Sequence, residues 1–307
     1  MSFSQVPHTI LMVRPASFGF NPDTAGSNSF QKESTNPENV HAKALKEFDE
    51  VVLTLERHGI NVMVVDDTMV PKTTDAIFPN NWITTHEDGK IILYPMMAPS
   101  RRLERRQDIV ELLEEKFEVK EIINLSNNEN ENRFLEGTGS IIFDHPNRIA
   151  YACQSDRTDE QLFRHLCHQL GYTSVLFQAV NENGIPIYHT NVMMWIGEKV
   201  AGLCLDAIPD EDEQEMILNS LSKTAHKVIA LSFEQMNSFA GNMFEVKGRD
   251  GKEFLLLSES AFNSLLPGQL LELEKHVTPL PLNISTIEES GGGSIRCMVA
   301  GIHLPAK

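Results

Sequence analysis

The sequence predicts an α/β protein. Short apolar strands and amphipathic helices alternate from one end to the other, the alternation recurs about five times, and the composition supports a large core. Of the 307 residues, 41% are hydrophobic and 22% charged, enough for one large domain or two small ones. No stretch reads as an interdomain linker, so residues 1–307 are expected to form a single domain.

HTILMVRP (8–15) has the apolar run of a strand. VHAKALKEFDEVVLTLERHG (40–59) carries Val40, Ala44, Phe48, Val51 and Leu55 at helical spacing and closes on Gly59, and INVMVVDD (60–67) is a second strand. The pattern returns with GKIILYPM (89–96), the helix RRLERRQDIVELLEEKF (101–117) and VKEIINL (119–125). A third unit holds GSIIFD (139–144), RIAYACQ (148–154), the helix DRTDEQLFRHLCHQLG (156–171) and TSVLFQAV (173–180). A fourth holds VMMWIGEKVAGLCL (192–205), the helix DEQEMILNSLSKT (212–224) and KVIALS (227–232). In the last, MFEVKG (243–248) and EFLLLS (253–258) precede the helix SAFNSLLPGQLLELEKH (260–276), a strand near TPLPLNIS (278–285) and a final strand within SIRCMVAGIHL (294–304), which embeds Cys297. SNNENENR (126–133), acidic and rich in asparagine, reads as a solvated loop. The units repeat in pattern without an obvious repeat in sequence.

A formal net charge of −17 argues against a nucleic-acid surface, since the one basic cluster, Arg101, Arg102, Arg105 and Arg106, is short. A small-molecule partner is expected instead. No apolar run approaches a membrane span and no basic region precedes the first one, which predicts a cytoplasmic protein. The four cysteines, at 153, 167, 204 and 297, have no framework spacing, so reduced thiols are expected. His165, Cys167 and His168 in HLCH lack the ligand spacing of a zinc site.

Cys297 follows three glycines, Gly291 to Gly293, near the end of the sequence. A thiol becomes a nucleophile when a base or cation stabilises its thiolate. IRCMV supplies only Arg296, so a base must come from elsewhere in the fold. Among 11 histidines, His189 in PIYHTNVMMWIG is the best placed, in a polar cluster directly before an apolar strand. A thiol so paired is expected to alkylate at lower pH than an ordinary cysteine.

FPNNW (78–82), APSRR (98–102), FLEGTGSIIFD (134–144), SDRTDE (155–160), YHTNV (188–192) and GGGSIRCM (291–298), in that order, resemble the guanidino-group-modifying superfamily, the pentein or amidinotransferase-like proteins. The resemblance covers most of the chain. It implies a five-bladed α/β propeller with pseudo-fivefold symmetry around a substrate tunnel, with no metal and no cofactor. By the same resemblance Cys297 is the nucleophile, His189 the general acid and base, and Glu136 in LEGTG the carboxylate that supports them. Gly139 stands where an acid is common in that family, a position given little weight for chemistry.

Arginine and methylarginine hydrolases of the superfamily carry aspartates where this sequence has Asn81 and Asn191. A carboxylate accepts only, whereas an amide also donates, so the pair suits a neutral ureido group better than a guanidinium. The pattern, together with MVRPASFGFNPDTAGSNSFQ (12–31), resembles the citrulline-utilisation hydrolases. Arg101 or Arg102, and Arg157, resemble the arginines that hold the substrate carboxylate in dimethylarginine hydrolases. The expected reaction is hydrolysis of citrulline through a Cys297 thioester, giving ornithine, carbon dioxide and ammonia. An arginine or methylarginine deiminase or dihydrolase, an amidinotransferase and a non-enzymatic propeller are the rival readings. A homo-oligomer is left open.

Overall fold

The computed structural model describes residues 3–34 and 37–307. Its strands are β1 Thr9–Arg14, β2 Asn61–Asp66, β3 Ile83–Thr85, β4 Lys90–Leu93, β5 Glu121–Asn124, β6 Ile142–Asp144, β7 Ile149–Cys153, β8 Thr173–Phe177, β9 Met194–Ile196, β10 Val200–Leu203, β11 Lys227–Ala230, β12 Phe244–Lys247, β13 Glu253–Ser258, β14 Thr278–Leu282 and β15 Ala300–Ile302. They form five three-stranded sheets, in the orders β15-β1-β2, β3-β4-β5, β6-β7-β8, β9-β10-β11 and β12-β13-β14.

Every sheet is built alike. A short inner strand (β15, β3, β6, β9 or β12) pairs antiparallel with the middle strand. The middle strand pairs parallel with the third. A parallel pair needs a long crossover, and helices occupy it: Pro37–Arg57, Gln107–Lys116, Glu160–Leu170, Glu211–Lys223, and in the last unit Glu259–Ser264 with Pro267–Glu274. The middle strands are buried nearly throughout, while β2, β5 and β11 alternate with exposed positions as edges do. All five inner strands contribute side chains or backbone to one common cavity.

The helical spacing of the first unit is realised in packing, since Val40, Ala44, Phe48, Val51 and Leu55 join Ile10 and Met12 of β1 in one core. Several elements differ from expectation. The 101–117 helix begins only at Gln107, after a 3-10 segment at Pro99–Glu104, because Arg101 and Glu104 turn inward together as a buried ion pair at 2.9 Å. Pro267 divides the 260–276 helix in two, as a proline restricts the residue before it. The 126–133 loop holds a 3-10 segment at Ser126–Glu131, and its Glu129 accepts from Met96 N at 2.8 Å and Arg105 Nη1 at 2.6 Å. Among the described residues no helix is long and apolar enough to cross a membrane.

A tight turn precedes each inner strand. Pro79–Asn81, Gly137–Ser140, Thr190–Val192 and Ile295–Met298 are single helical turns ahead of β3, β6, β9 and β15. Ahead of β12, Asn242 N closes a turn on Phe239 O at 2.9 Å.

Candidate active site

Cys297 lies on one of these turns and not in a strand, which corrects the sequence expectation. IRCMV has a strand's apolarity, but its place in the unit is that of the pre-strand turn, and β15 starts only at Ala300. The preceding Ser285–Gly291 helix ends at Gly292 with φ +62°, a left-handed conformation that favours glycine. The chain then doubles back and buries Cys297 to 8% exposure.

Two amides flank the sulfur: Nδ2 of Asn191 at 3.5 Å and Nδ2 of Asn242 at 3.4 Å. The orientation of Asn242 is fixed, because its Nδ2 also donates to Asn191 O at 2.9 Å and its Oδ1 accepts from Arg296 N at 3.1 Å. Burial pushes the Cys297 thiol above its ordinary value, against the opposing influence of Asn242, the Ser294 backbone, Arg296 and Asn191. Burial thus favours the neutral thiol of Cys297 over its thiolate. This direction runs opposite to the low-pH alkylation expected from the sequence, because burial outweighs Asn242, Arg296 and Asn191 at the sulfur.

Glu136 is fully buried at the entry to the Gly137–Ser140 turn. Its Oε2 lies 2.8 Å from His189 Nε2 and 3.4 Å from Arg157 Nη1, and its Oε1 accepts from Met97 N at 2.9 Å. Burial alone would raise this carboxyl, but Arg157, His189 and Arg101 together hold it well below the usual range. An ionised carboxylate accepts only, so His189 carries its proton on Nε2 and Nδ1 is the basic nitrogen. Burial lowers the His189 pKa to about 4 despite Glu136, leaving the imidazole neutral.

Asn81, Arg101, Arg157, Tyr188, His189, Cys297 and the three glycines line one cavity. Water centres fit over ≈ 20 Å³ of it, room for one or two waters. Arg101 is already committed: Nε and Nη2 bind Glu104 at 3.0 and 2.9 Å, and Nη1 donates to Asn81 Oδ1 at 2.7 Å. Arg157 reaches Ser27 Oγ at 2.5 Å and Thr24 O at 3.3 Å with Nη2, while its buried Nε has no partner among the described residues. Arg102 is not part of the cavity. Its guanidinium turns to the Met96 and Met97 carbonyls at 3.0 and 3.2 Å, 3.4 Å from Glu129, because the 3-10 segment points it away from Arg101.

Two residues of the site went unread in the sequence. Asn242 had a signal: Asn81, Asn191 and Asn242 each sit two or three residues ahead of an inner strand. Asp75 had less, being an acid just upstream of FPNN. It lines the cavity, with Oδ2 accepting from Asn21 Nδ2 at 2.7 Å and a buried Oδ1 that has no partner among the described residues. Gly139 also matters more than expected. A Cβ there would lie 2.4 Å from Asn81 Nδ2 and 2.8 Å from His189 Nδ1. Among the described residues no group of three or more His, Cys, Asp or Glu is arranged to hold a metal ion.

The fold has known counterparts. ArgZ, an arginine dihydrolase from the ornithine–ammonia cycle in cyanobacteria, superposes in its apo form with a TM-score of 0.72 at 15% identity, over 97% of this chain and 41% of that one. The chain thus spans less than half the length of ArgZ. It matches the substrate-bound N-terminal domain of ArgZ, in a cysteine-to-serine mutant, with a TM-score of 0.71 at 15% identity over 97% of this chain and 98% of that one. DDAH from Pseudomonas aeruginosa, a cysteine-to-serine mutant complexed with citrulline, gives 0.63 at 13% identity over 98% and 99%. No curated protein matches the chain in sequence. A family model described as eukaryotic N,N-dimethylarginine dimethylhydrolase, however, matches residues 14–304, so the chain belongs to that family, within the guanidino-modifying pentein superfamily.

Proposed function

We propose that the chain is a cysteine-dependent hydrolase of a small amino-acid substrate, acting on the ureido group of citrulline or a close analogue. We read its five like-built sheets as the blades of a propeller and the whole chain as one catalytic domain. In this reading Cys297 is the nucleophile, His189 the acid and base, and Glu136 the group that fixes the imidazole.

One observation carries the substrate choice. The groups in contact with the Cys297 sulfur and beside His189 are amide donors. The orientation of Asn81 is set by Arg101, which leaves its buried Nδ2 unpartnered beside Gly139 and His189. Asn191 and Asn242 add two more NH₂ groups at the sulfur. The carboxylate that touches His189, Glu136, is occupied at both oxygens. A ureido oxygen needs donors, whereas a guanidinium has none to accept them. In the same cavity, the open Oδ1 of Asp75 suits an α-ammonium and the open Nε of Arg157 an α-carboxylate.

These positions support the following steps. The Cys297 thiol passes its proton to His189 Nδ1 and the sulfur attacks the ureido carbon, whose oxygen becomes negative among the amide donors. His189 returns the proton to the departing nitrogen. Water, deprotonated at the same nitrogen, then cleaves the carbamoyl thioester and restores the thiol. The products are ornithine and carbamate, which decomposes to carbon dioxide and ammonia.

Family membership favours a second reading, in which arginine or a methylated arginine is the substrate. Citrulline, arginine, methylated arginines and succinylarginine, assayed for ammonia and amino-acid products, separate the two. Citrulline is expected to give the highest kcat/KM. A higher value for arginine or dimethylarginine would replace the ureido reading with the guanidine one.

A further inference from the structure

Consecutive residues of the Ile295–Met298 turn serve different cavities. Cys297 lines the substrate cavity, and Arg296 lines a second one that shares no lining residue with it. The second cavity lies where the five inner strands meet, and water centres fit over ≈ 40 Å³ of it. That is space for about three waters.

Arg296 is nine-tenths buried yet forms no ion pair among the described residues. The two other deeply buried arginines do: Arg101 has Glu104 and Arg157 has Glu136. Arg296 has one side-chain hydrogen bond, from Nη1 to Val299 O at 3.0 Å, and its guanidinium packs 4.4 Å from the centre of the Phe244 ring. Its remaining guanidinium N–H groups have no acceptor among the described residues. A buried cation left in this condition is costly and draws an anion.

The rest of the cavity suits one. No aspartate or glutamate lines it among the described residues. His145 and His303 do, their rings 4.4 Å apart. Nδ1 of His145 contacts Tyr172 Oη at 2.8 Å, which leaves its Nε2 and both nitrogens of His303 without a hydrogen bond among the described residues. Burial holds both rings neutral, with Arg296 acting in the same direction. They can donate N–H groups without adding charge, so the site carries a single positive charge. Three further titratable groups act on these rings: Tyr172, bonded to His145; Arg148, which lies over the Tyr172 ring at 5.2 Å and also disfavours a charged His145; and His86, 5.8 Å from His145, neutral through burial and bonded to Thr84 Oγ1 at 3.1 Å.

We propose that this cavity binds a small inorganic monoanion, of the size of chloride or bicarbonate, on Arg296 with His145 and His303, and that occupancy slows Cys297 by cancelling the charge of its neighbour. The coupling path is short. Arg296 favours the thiolate of Cys297, and its backbone N anchors the Oδ1 of Asn242, whose Nδ2 touches the sulfur. The readouts below involve no substrate, so they stand or fall apart from the ureido reading.

The test measures alkylation of Cys297 by iodoacetamide at fixed pH and ionic strength, followed by peptide mass spectrometry, while gluconate is replaced by chloride or by bicarbonate. A saturable several-fold slowing is expected with at least one of them, and which one identifies the anion. Bromide-soaked crystals should show an anomalous peak beside the Arg296 guanidinium. Both effects should vanish in Arg296→Met. If that variant does not fold, His303→Phe should raise the half-saturating anion concentration several-fold. An empty cavity in bromide overturns the site, and bromide bound without any change in alkylation overturns the coupling.

Discussion

A Cβ on Gly139 would lie 2.8 Å from Nδ1 of His189, the nitrogen that Glu136 leaves free to move protons. The same Cβ would lie 2.4 Å from Asn81 Nδ2. This glycine therefore keeps open the space between the His189 ring and the Asn81 amide, which are the base and a substrate-binding donor in the proposed reading. Gly139→Ala is expected to lower kcat/KM on the order of 100-fold, because displacements near 1 Å at a reacting group carry that effect, while the circular dichroism spectrum is unchanged. Near wild-type turnover would show that the ring and amide yield without consequence.

Cys297→Ser and His189→Ala should each lose on the order of 10³-fold or more in kcat, since a nucleophile and its proton partner act as a unit. The measurement is steady-state ammonia release on protein of verified fold. Cys297→Ser within a few-fold of wild type would remove the residue from its assigned role.

Protonation works in one direction here. Burial places His189 and His86 at about 4 and His303 at about 3, below the unfolded value of about 6.5. From pH 6.5 down to the folded values, the unfolded chain binds protons that the folded chain does not. Stability is therefore fully present above pH 6.5 and declines as pH falls through that window. Urea midpoints should be level near pH 7 to 8 and drop steeply towards pH 4. The acid limb of kcat/KM should fall near pH 4, and alkylation of Cys297 should rise only above the ordinary cysteine range near 8.5. An acid limb at 6.5 would mean that His189 is not held neutral.

The paired substitution Asn81→Asp with Asn191→Asp replaces two donors with charged acceptors. Citrulline turnover should fall and arginine binding should strengthen, because each carboxylate–guanidinium contact contributes about 1.5–3 kcal/mol. Isothermal titration with both amino acids reads the change. Retention of a citrulline preference by the double variant would sink the amide argument.

Asp75→Asn removes the charge offered to a substrate ammonium. KM is expected to rise roughly 10- to 100-fold, the equivalent of one hydrogen bond to a charged group, with little change in kcat. A substrate lacking the α-amine should show no such penalty. An equal loss with both substrates would mean that Asp75 only supports Asn21 and Arg101.

The repeating unit was legible because its parts are periodic: Val40 to Leu55 for the helix, and the apolar middle strands for the sheets. Cys297, His189, Glu136, Asn81 and Asn191 were legible as motif positions. The one-turn helix at Ile295–Met298 was not, since four apolar or mixed residues fit a strand equally well by local pattern. Arg102 was indistinguishable from Arg101 in sequence, and only the inward turn that pairs Arg101 with Glu104 separates them. Asp75 and Asn242 stand out only by what surrounds them, an unmatched oxygen in one case and a doubly anchored amide in the other, and neither is written in their neighbours along the chain.

The pairing of β15 with β1, Thr9 opposite Ile302, joins segments from opposite ends of the described chain. The Asn28 amide likewise reaches Gly292 O across 264 residues. Contacts of such separation close large loops and form slowly. During synthesis, four of the sheets can assemble from local sequence, while the first waits for its inner strand and the thiol arrives with it. The emerging polypeptide thus lacks both the inner strand of its first sheet and the Cys297 turn until β15 pairs with β1, so the step that completes the fold also completes the candidate site.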